Sequence, residues 1–246
     1  RPTSIPQTIE DLWLEQAVCR EALRLSLNHH RSLAVGLSGV TQRRGIADIF
    51  SQQQSRYELV DRMKLDLVIG SGGVLSHAPH RLEAALMMLD GFELEGLTAI
   101  AVDSIFMMPH LGVFASVHPQ AAEEIFLKDC LVHICHAVAP VFPKASRVTG
   151  ALAQVLCDDR DLGTVERGVL RLVDLPPQAS CALTVRPLHA GVDVGAGQGK
   201  TLTRDIVTGL HGLIFDGRNR PIEHSADRSL AVRQQGQILD ALGLRR

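Results

Sequence analysis

The chain has 246 residues, of which 46% are apolar and 21% charged, so it can bury a core and is not a disordered chain. Its net charge is −2 and it has no long run of basic residues, which gives no electrostatic support for binding nucleic acid or a membrane surface. No apolar run approaches the ~18–20 residues that span a bilayer. The five scattered cysteines predict reduced thiols and a cytoplasmic location.

The amino-terminal part predicts one long helix followed by a segment with little pattern. The chain starts at Arg1 without an initiator methionine, and we therefore expect it to be part of a longer protein. Thr8 and Asp11 resemble a capping box, and the apolar stripe behind them predicts a helix to about Asn28. From residue 33 to 62 the signal is poor, and we expect a mobile loop with at most one short helix.

A strand, a glycine-rich turn and a helix are predicted between residues 66 and 90. The apolar run Asp66–Gly70 leads into Gly70-Ser71-Gly72-Gly73. Apolar residues then follow at i, i+3, i+4 and i+7, namely Leu82, Ala85, Leu86 and Leu89. Thr98–Asp103 is a second apolar run, so the segment predicts a right-handed βαβ unit with two buried parallel strands.

The glycine-rich turn has two possible roles. Glycine tolerates positive φ and carries no side chain, so a ligand can approach the bare backbone there. Backbone N–H groups at such a turn can hold an anion or a ring nitrogen. The alternative is a tight strand–helix connection whose glycines only permit packing. The residues alone leave both roles open.

The remainder of the chain changes from α/β to β-rich. Residues 104–117 predict a packed loop or short helix, and Pro119 predicts the start of another helix. Short β-like runs follow at residues 131–141, 165–173, 182–187 and 210–215. Residues 216–221 predict a turn into a closing strand, and residues 226–242 a polar helix. The expected fold is therefore an α/β lobe at residues 1–140 and a β-rich subdomain at residues 141–246.

Several of these segments resemble one known family. Residues 68–79, 84–90 and 101–113 resemble the accessory proteins of coenzyme-B12-dependent glutamate mutase, the MutL or GlmL type, which is unrelated to mismatch repair. The resemblance continues through Val207–Pro221, where the family has a Gly-rich run ending in Ile-Asp-Ala-Arg-Gly-Arg-Pro. In this chain Phe215 precedes the aspartate and Gly217 replaces the alanine.

The resemblance implies an actin/Hsp70-like ATPase of the ribonuclease-H-like fold. Such proteins are chaperone-like reactivators that exchange the damaged cofactor of adenosylcobalamin-dependent mutases at the expense of ATP. The implied partners are the mutase subunits, with no direct binding of cobalamin. This chain would be the second lobe with a β-rich extension, and Gly70, Ser71, Gly72 and Gly73 match the adenosine turn of that lobe. Mg²⁺ and the phosphate-binding turns would come from an upstream lobe, so the fragment alone should not hydrolyse ATP.

Two further residues are candidate nucleotide contacts. His77, one of four histidines that follow the two strands of the βαβ unit, could contact a phosphate or simply cap the turn. Asp103 ends the second strand and could accept a ribose hydroxyl or a helix N–H group, and capping is the preferred alternative. The other three histidines of this group are His80, His110 and His118.

Three other patterns give no catalytic site. Gly195–Thr201 is similar to a P-loop, but Val194 occupies the position that requires the first glycine, so we expect a hairpin loop. The group Cys130, His133, Cys135 and His136 could ligate zinc, but neighbours on a strand point to opposite faces, and we expect core packing and no metal. Ser76 and Asp216 are candidates only by residue type. The alternative function is a non-catalytic protein-interaction module with a structural glycine turn.

Overall fold

The computed structural model describes residues 5–34, 60–143 and 148–245. Most of the loop predicted at residues 33–62 falls at residues 35–59, outside the described residues. The helices are α1 (Ile9–Ala34), α2 (Gly73–Ser76), α3 (Arg81–Phe92), α4 (Met108–Phe114), α5 (Pro119–Ile125) and α6 (Arg228–Ala241), with a 3-10 turn at Arg62–Lys64 and a π-helical turn at Phe126–Cys130. The strands are β1 (Leu67–Gly70), β2 (Gly96–Asp103), β3 (Leu131–Ala139), β4 (Ala151–Cys157), β5 (Arg160–Glu166), β6 (Leu170–Val173), β7 (Ser180–Pro187), β8 (Leu202–Val207) and β9 (Leu213–Asp216).

A mixed five-stranded sheet is the centre of the fold. Its strand order is β1-β2-β3-β9-β6. The pairs β1–β2 and β3–β9 are parallel, whereas β2–β3 and β6–β9 are antiparallel. The βαβ unit predicted around the glycine-rich turn is confirmed, because β1 and β2 are parallel neighbours joined through α2 and α3. Both strands therefore present their carboxyl ends at one edge of the sheet.

The two faces of the central sheet are covered differently. α3 is buried along most of its length against β1, β2 and β3, and α1 and the end of α6 pack against the same core. A second, antiparallel sheet of order β5-β4-β7-β8 covers the other face. Its apolar side chains form a second core with those of β2, β3 and β9. The described residues thus form three layers, with helices, a mixed sheet and an antiparallel sheet.

Most predicted elements are confirmed, and the differences have physical reasons. The Thr8–Asp11 capping box is present, with the Asp11 N–H donating to Thr8 Oγ1 over 3.1 Å, but α1 extends to Ala34 and not only to Asn28. The run 165–173 is interrupted by a turn at Gly168, where φ is +76°, and so divides between β5 and β6. The closing strand predicted after residue 221 is wrong, because the described residues there lead directly into α6.

The sequence analysis missed β4 and β8. β8 alternates weakly, since Thr203, Arg204 and Asp205 are all exposed on an edge strand. The predicted division at residue 140 stays a prediction, and β6 and β9, from beyond it, lie in the same sheet as β1, β2 and β3. No helix in the described part of the chain is long and apolar enough to cross a membrane.

Candidate functional site

The glycine-rich turn lies at the carboxyl edge of β1. Gly70 ends β1, and Gly72 adopts φ 111° and ψ 157°, a backbone conformation that a side chain would strain. The Gly72 carbonyl accepts the Ser76 N–H at 2.8 Å and thereby closes the single turn of α2. The chain can reverse from strand to helix within these few residues because glycine permits the positive φ.

The glycines of the turn serve two different purposes. A Cβ atom on Gly70 would lie 2.7 Å from Met88 Sδ, so Gly70 lets the Met88 side chain of α3 pack directly on β1. A Cβ atom on Gly72 or Gly73 would meet no atom within 4 Å. The first glycine therefore fits the packing role considered from the sequence, whereas the later two leave bare backbone facing open space.

Asp103 supports the turn from the end of the neighbouring strand. Its Oδ1 accepts the Met107 N–H at 3.0 Å, and its Oδ2 accepts the Met108 N–H at 2.7 Å. Ser71 Oγ lies 3.2 Å from the same Oδ2 atom. Burial alone would raise the pKa of Asp103, but the hydrogen bonds from Met108, Met107 and Ser71 together lower the pKa. Asp103 thus accepts helix N–H groups, as predicted, although Met107 is the N-cap residue of α4, and the carboxylate also contacts the turn through Ser71.

Ser76 is a structural residue of this site. Its hydroxyl is buried and donates to the Asp103 carbonyl over 2.5 Å. The Ser76 carbonyl in turn accepts a hydrogen bond from Arg81 at 2.6 Å. A buried hydroxyl that already donates to a backbone carbonyl is not available as a nucleophile. Ser76 instead ties α2 to the end of β2.

The four histidines of this region do not converge on one point. His77 is exposed and directly follows the end of α2. Its Nδ1 lies 3.3 Å from the carbonyl oxygen of Gly73, the first residue of that helix. His80 Nδ1 accepts the Leu82 N–H and so caps α3, and its ring lies 5.2 Å from that of His211. His110 and His118 are exposed on α4 and before α5. Of the four, His77 lies directly beside the open glycines.

The two other motifs have structural roles. In the connection between β7 and β8, Asp193 Oδ1 accepts the N–H groups of Gly195 and Gly197 at 2.8 and 3.0 Å, so the P-loop-like segment is the expected hairpin loop. Cys130, Cys135 and His136 are buried, as expected, whereas the core packing expected of His133 is wrong, because its side chain is exposed. Burial raises the pKa of Cys135 to about 12. Among the described residues, no group of three or more His, Cys, Asp or Glu side chains is placed to bind a metal ion.

A buried ionic cluster was missed by the sequence analysis. Asp216, at the end of β9, has no exposed surface and accepts a two-pronged contact from Arg218 at 2.8 and 2.9 Å. Arg220 also lies 2.9 Å from Asp216, and Arg218 reaches Asp90 on α3 at 2.8 Å. Arg20 on α1 approaches the other oxygen of Asp90 at 3.2 Å. The sequence signal that could have revealed this cluster is the Asp-x-Arg-x-Arg spacing at residues 216–220. The ion pairs of the cluster connect β9 to α3 and α1.

One comparison with known proteins agrees with the resemblance noted for residues 68–113. A family model described as MutL protein matches residues 1–130, more than half of the chain. That range includes the whole βαβ unit and the glycine-rich turn. No curated protein and no solved structure matches the chain. The chain belongs to the MutL protein family, the family of glutamate mutase accessory proteins.

Proposed function

We propose that this chain is the nucleoside-binding part of an ATP-dependent accessory protein that reactivates an adenosylcobalamin-dependent mutase of the glutamate mutase type. The glycine turn would receive the adenosine of ATP or ADP. An upstream lobe of actin-like fold would supply the phosphate-binding turns and Mg²⁺. The nucleotide state would then set the arrangement of the lobes, and thereby the contact with the mutase subunits.

The observation that carries this proposal is the open backbone of Gly72 and Gly73. Their missing side chains leave space that no other described residue fills within 4 Å. The turn also lies at the carboxyl edge of a parallel strand pair, the usual place for ligands in open α/β sheets. A flat purine can approach such a backbone more closely than it can approach any turn with side chains.

The surrounding contacts support a preorganised turn. Asp103 uses both carboxylate oxygens within the protein, so its role in the proposed site is to fix Ser71 and the start of α4. His77 is the exposed polar side chain next to the turn and would contact the ribose or a phosphate. The ligand would therefore be recognised mainly by backbone groups that are already in position before it arrives.

The test is thermal unfolding of the full-length protein with ATP and with ADP. A ligand at 100 times its dissociation constant adds about 2.7 kcal/mol to the free energy of unfolding, which gives a clear rise in Tm. Gly73→Leu is the informative variant, because the φ of Gly73 is not positive and a Cβ atom there meets no atom within 4 Å. We expect this variant to fold and to lose at least about tenfold in nucleotide affinity.

Gly236→Leu on α6 is the matched control, since a Cβ atom there also meets nothing within 4 Å. It should retain the nucleotide response of the unchanged protein. No rise in Tm with either nucleotide, or an equal response in Gly73→Leu, would contradict the proposal.

The alternative function is a non-catalytic interaction module, and one observation favours it. The segment around α4 and α5 exposes many large apolar side chains, namely Ile105, Phe106, Val113, Val117 and Leu127. Exposed apolar groups of this density are typical of protein-docking surfaces. If both nucleotides fail to bind while the mutase subunits still bind, this alternative replaces the first.

A further inference from the structure

A β-bulge between β2 and β3 brings two histidines to the same face of the central sheet. Ala99 pairs with His136 and Ala101 pairs with His133, although the histidines are three positions apart in the sequence and the alanines only two. The extra residue on β3 reverses the usual alternation and turns both imidazoles away from the helical core. Bulges that redirect side chains in this way are common beside functional sites.

The two histidines line a cleft between the two sheets. The cleft has a volume of about 530 Å³, within the range of small-molecule sites. Its apolar walls come from Leu97 and Ala99 on β2 and from Ile206 and Val207 on β8. Besides the histidines, its polar groups are Asp66, Arg204 and Asp205. This combination of apolar walls and a few polar groups is typical of binding sites for small organic molecules.

His136, which lines this cleft, has one ring nitrogen that is buried and without a hydrogen-bond partner among the described residues. The side chain is only 8% exposed, and its Nδ1 has no hydrogen-bond partner among the described residues. Leaving a buried polar nitrogen without a partner costs about 1–3 kcal/mol, so such atoms usually have a ligand or water. Burial, His133 and Arg204, in that order of effect, lower the pKa of His136 to about 4. At neutral pH the ring is therefore uncharged and can donate one N–H.

Arg204 is a cation at the cleft, and its ion pair with Asp66 can be exchanged for one with a ligand. Arg204 Nη1 lies 2.5 Å from Asp66 Oδ1, and both side chains are well exposed, at 43% and 78%. Exposed pairs of this kind contribute little to stability and exchange readily. Asp205 is exposed on the same strand. A ligand anion could therefore replace Asp66 at the guanidinium, and hydrogen bonds from His133 and His136 on β3 would have to offset the repulsion by Asp66 and Asp205, which line the same cleft.

We propose that this cleft is a binding site for a small molecule with a carboxylate or phosphate group, which accepts a hydrogen bond from His136 and pairs with Arg204. Aliphatic parts of the ligand would contact Leu97 and Ile206. The site is independent of the proposed nucleotide turn. It lies toward the start of β1, beside Asp66, whereas the glycine turn follows the end of that strand.

The test is histidine side-chain NMR of the protein titrated with inorganic phosphate and, separately, with acetate in the millimolar range. We expect saturable shifts of the His133 and His136 ring resonances, and a rise in the pKa of His136, because a bound anion favours the charged imidazolium. The exposed His110 should not shift. The arm that saturates at the lower concentration identifies phosphate or carboxylate as the preferred group.

Arg204→Gln should weaken this binding about tenfold, since it removes one charge-assisted contact. Arg245→Gln is the matched control, because Arg245 also forms an exposed pair, with Asp240, at the far end of the chain. Equal affinity in Arg204→Gln and the unchanged protein would overturn the proposal. So would the absence of a saturable His136 shift with both anions.

Discussion

Two glycine-containing turns follow strands of the central sheet, and they use glycine for opposite reasons. After β1, a side chain on Gly72 or Gly73 would meet nothing within 4 Å. After β9, a Cβ atom on Gly217 would lie 1.7 Å from the Glu166 carbonyl oxygen. The first turn leaves space that a ligand can enter, whereas in the second the backbone of Glu166 already occupies the corresponding space. A glycine in a sequence motif therefore does not by itself indicate a binding site.

The carboxylates beside these two turns differ in the same way. Asp103 and Asp216 both end strands and both have no exposed surface. Asp103 is satisfied by two backbone N–H groups and the Ser71 hydroxyl, which are neutral donors. Asp216 is satisfied by two guanidinium groups, which are themselves nearly buried. The turn after β9 is thus held by buried ion pairs, and we call it the fixed joint. The turn after β1, the open turn, is held by hydrogen bonds to Asp103 and leaves space beside Gly72 and Gly73.

The largest expected effect is on the fixed joint. Asp216→Asn removes the charge that compensates Arg218 and Arg220, so it should lower the free energy of unfolding by about 3–5 kcal/mol. Urea denaturation at neutral pH measures this change. Asp240→Asn is the control, because its pair with Arg245 is exposed and should be worth less than about 1 kcal/mol. Similar losses in both variants would show that the buried cluster contributes no more to the free energy of unfolding than an exposed ion pair does.

Alanine substitutions at the two turns compare the glycines directly. Gly217→Ala should cost about 3 kcal/mol, because the new methyl group can be accommodated only by moving the backbone at Glu166. Gly73→Ala should change the free energy of unfolding by less than about 0.5 kcal/mol. Both values come from the same denaturation experiment. If Gly73→Ala were as damaging as Gly217→Ala, the β1 turn would not be open in solution.

Acid should weaken the fixed joint in a defined range of pH. Burial alone would raise the pKa of Asp216, but Arg218 and Arg220 lower it from 3.8 to about 2 in the folded protein. The contribution of Asp216, about 2 kcal/mol, is therefore complete above pH 4 and disappears as the pH falls through 2. Denaturation curves between pH 5 and pH 2 measure the loss. Asp216→Asn should lack this component, and an identical pH profile in that variant would assign the loss to other carboxylates.

Apart from the nearly neutral Gly73→Ala change, the smallest loss of stability is expected at Asp103, beside the open turn. Asp103→Ala removes the acceptor for two N–H groups at the start of α4 and should cost about 1–2 kcal/mol. Because Ser71 also loses its partner, the variant should lose nucleotide affinity as well as stability. The rise in Tm on adding ATP or ADP should therefore be smaller than in the unchanged protein. Asp227→Ala, which removes the cap of α6, is the control. A nucleotide response in Asp103→Ala equal to that in Asp227→Ala would show that Asp103 does not support the turn.

Local patterns predicted the β1 region well because its chemistry is local. The apolar run, the glycines and the spacing of Leu82, Leu86 and Leu89 each depend on residues close in sequence. That Asp103 accepts helix N–H groups also followed from its place at the end of β2. Sequence reasoning could not separate Gly70 from Gly73, however, because the difference depends on Met88, which packs against β1 from α3.

Features made by distant parts of the chain were not predictable in this way. The ionic cluster joins Arg20, Asp90 and Arg218, which lie in three separate segments of the sequence. The redirection of His136 depends on a bulge that appears only when β3 pairs with β2. β8 was missed because an edge strand with one face in solvent has a weak apolar pattern. The cluster and the bulge depend on residues that come together only in the folded chain, and the weak pattern of β8 depends on its position at the edge of the sheet.

The position of β9 also constrains how the protein can be made. β9 lies between β3 and β6 in the sheet, yet it follows all the other described strands in the chain. While the ribosome is still adding residues, one side of β3 has N–H and C=O groups with no strand to pair with, and such an edge attracts other chains. Emergence of β9, more than emergence of the strands that precede it, should therefore be the moment at which this sheet becomes protected from aggregation.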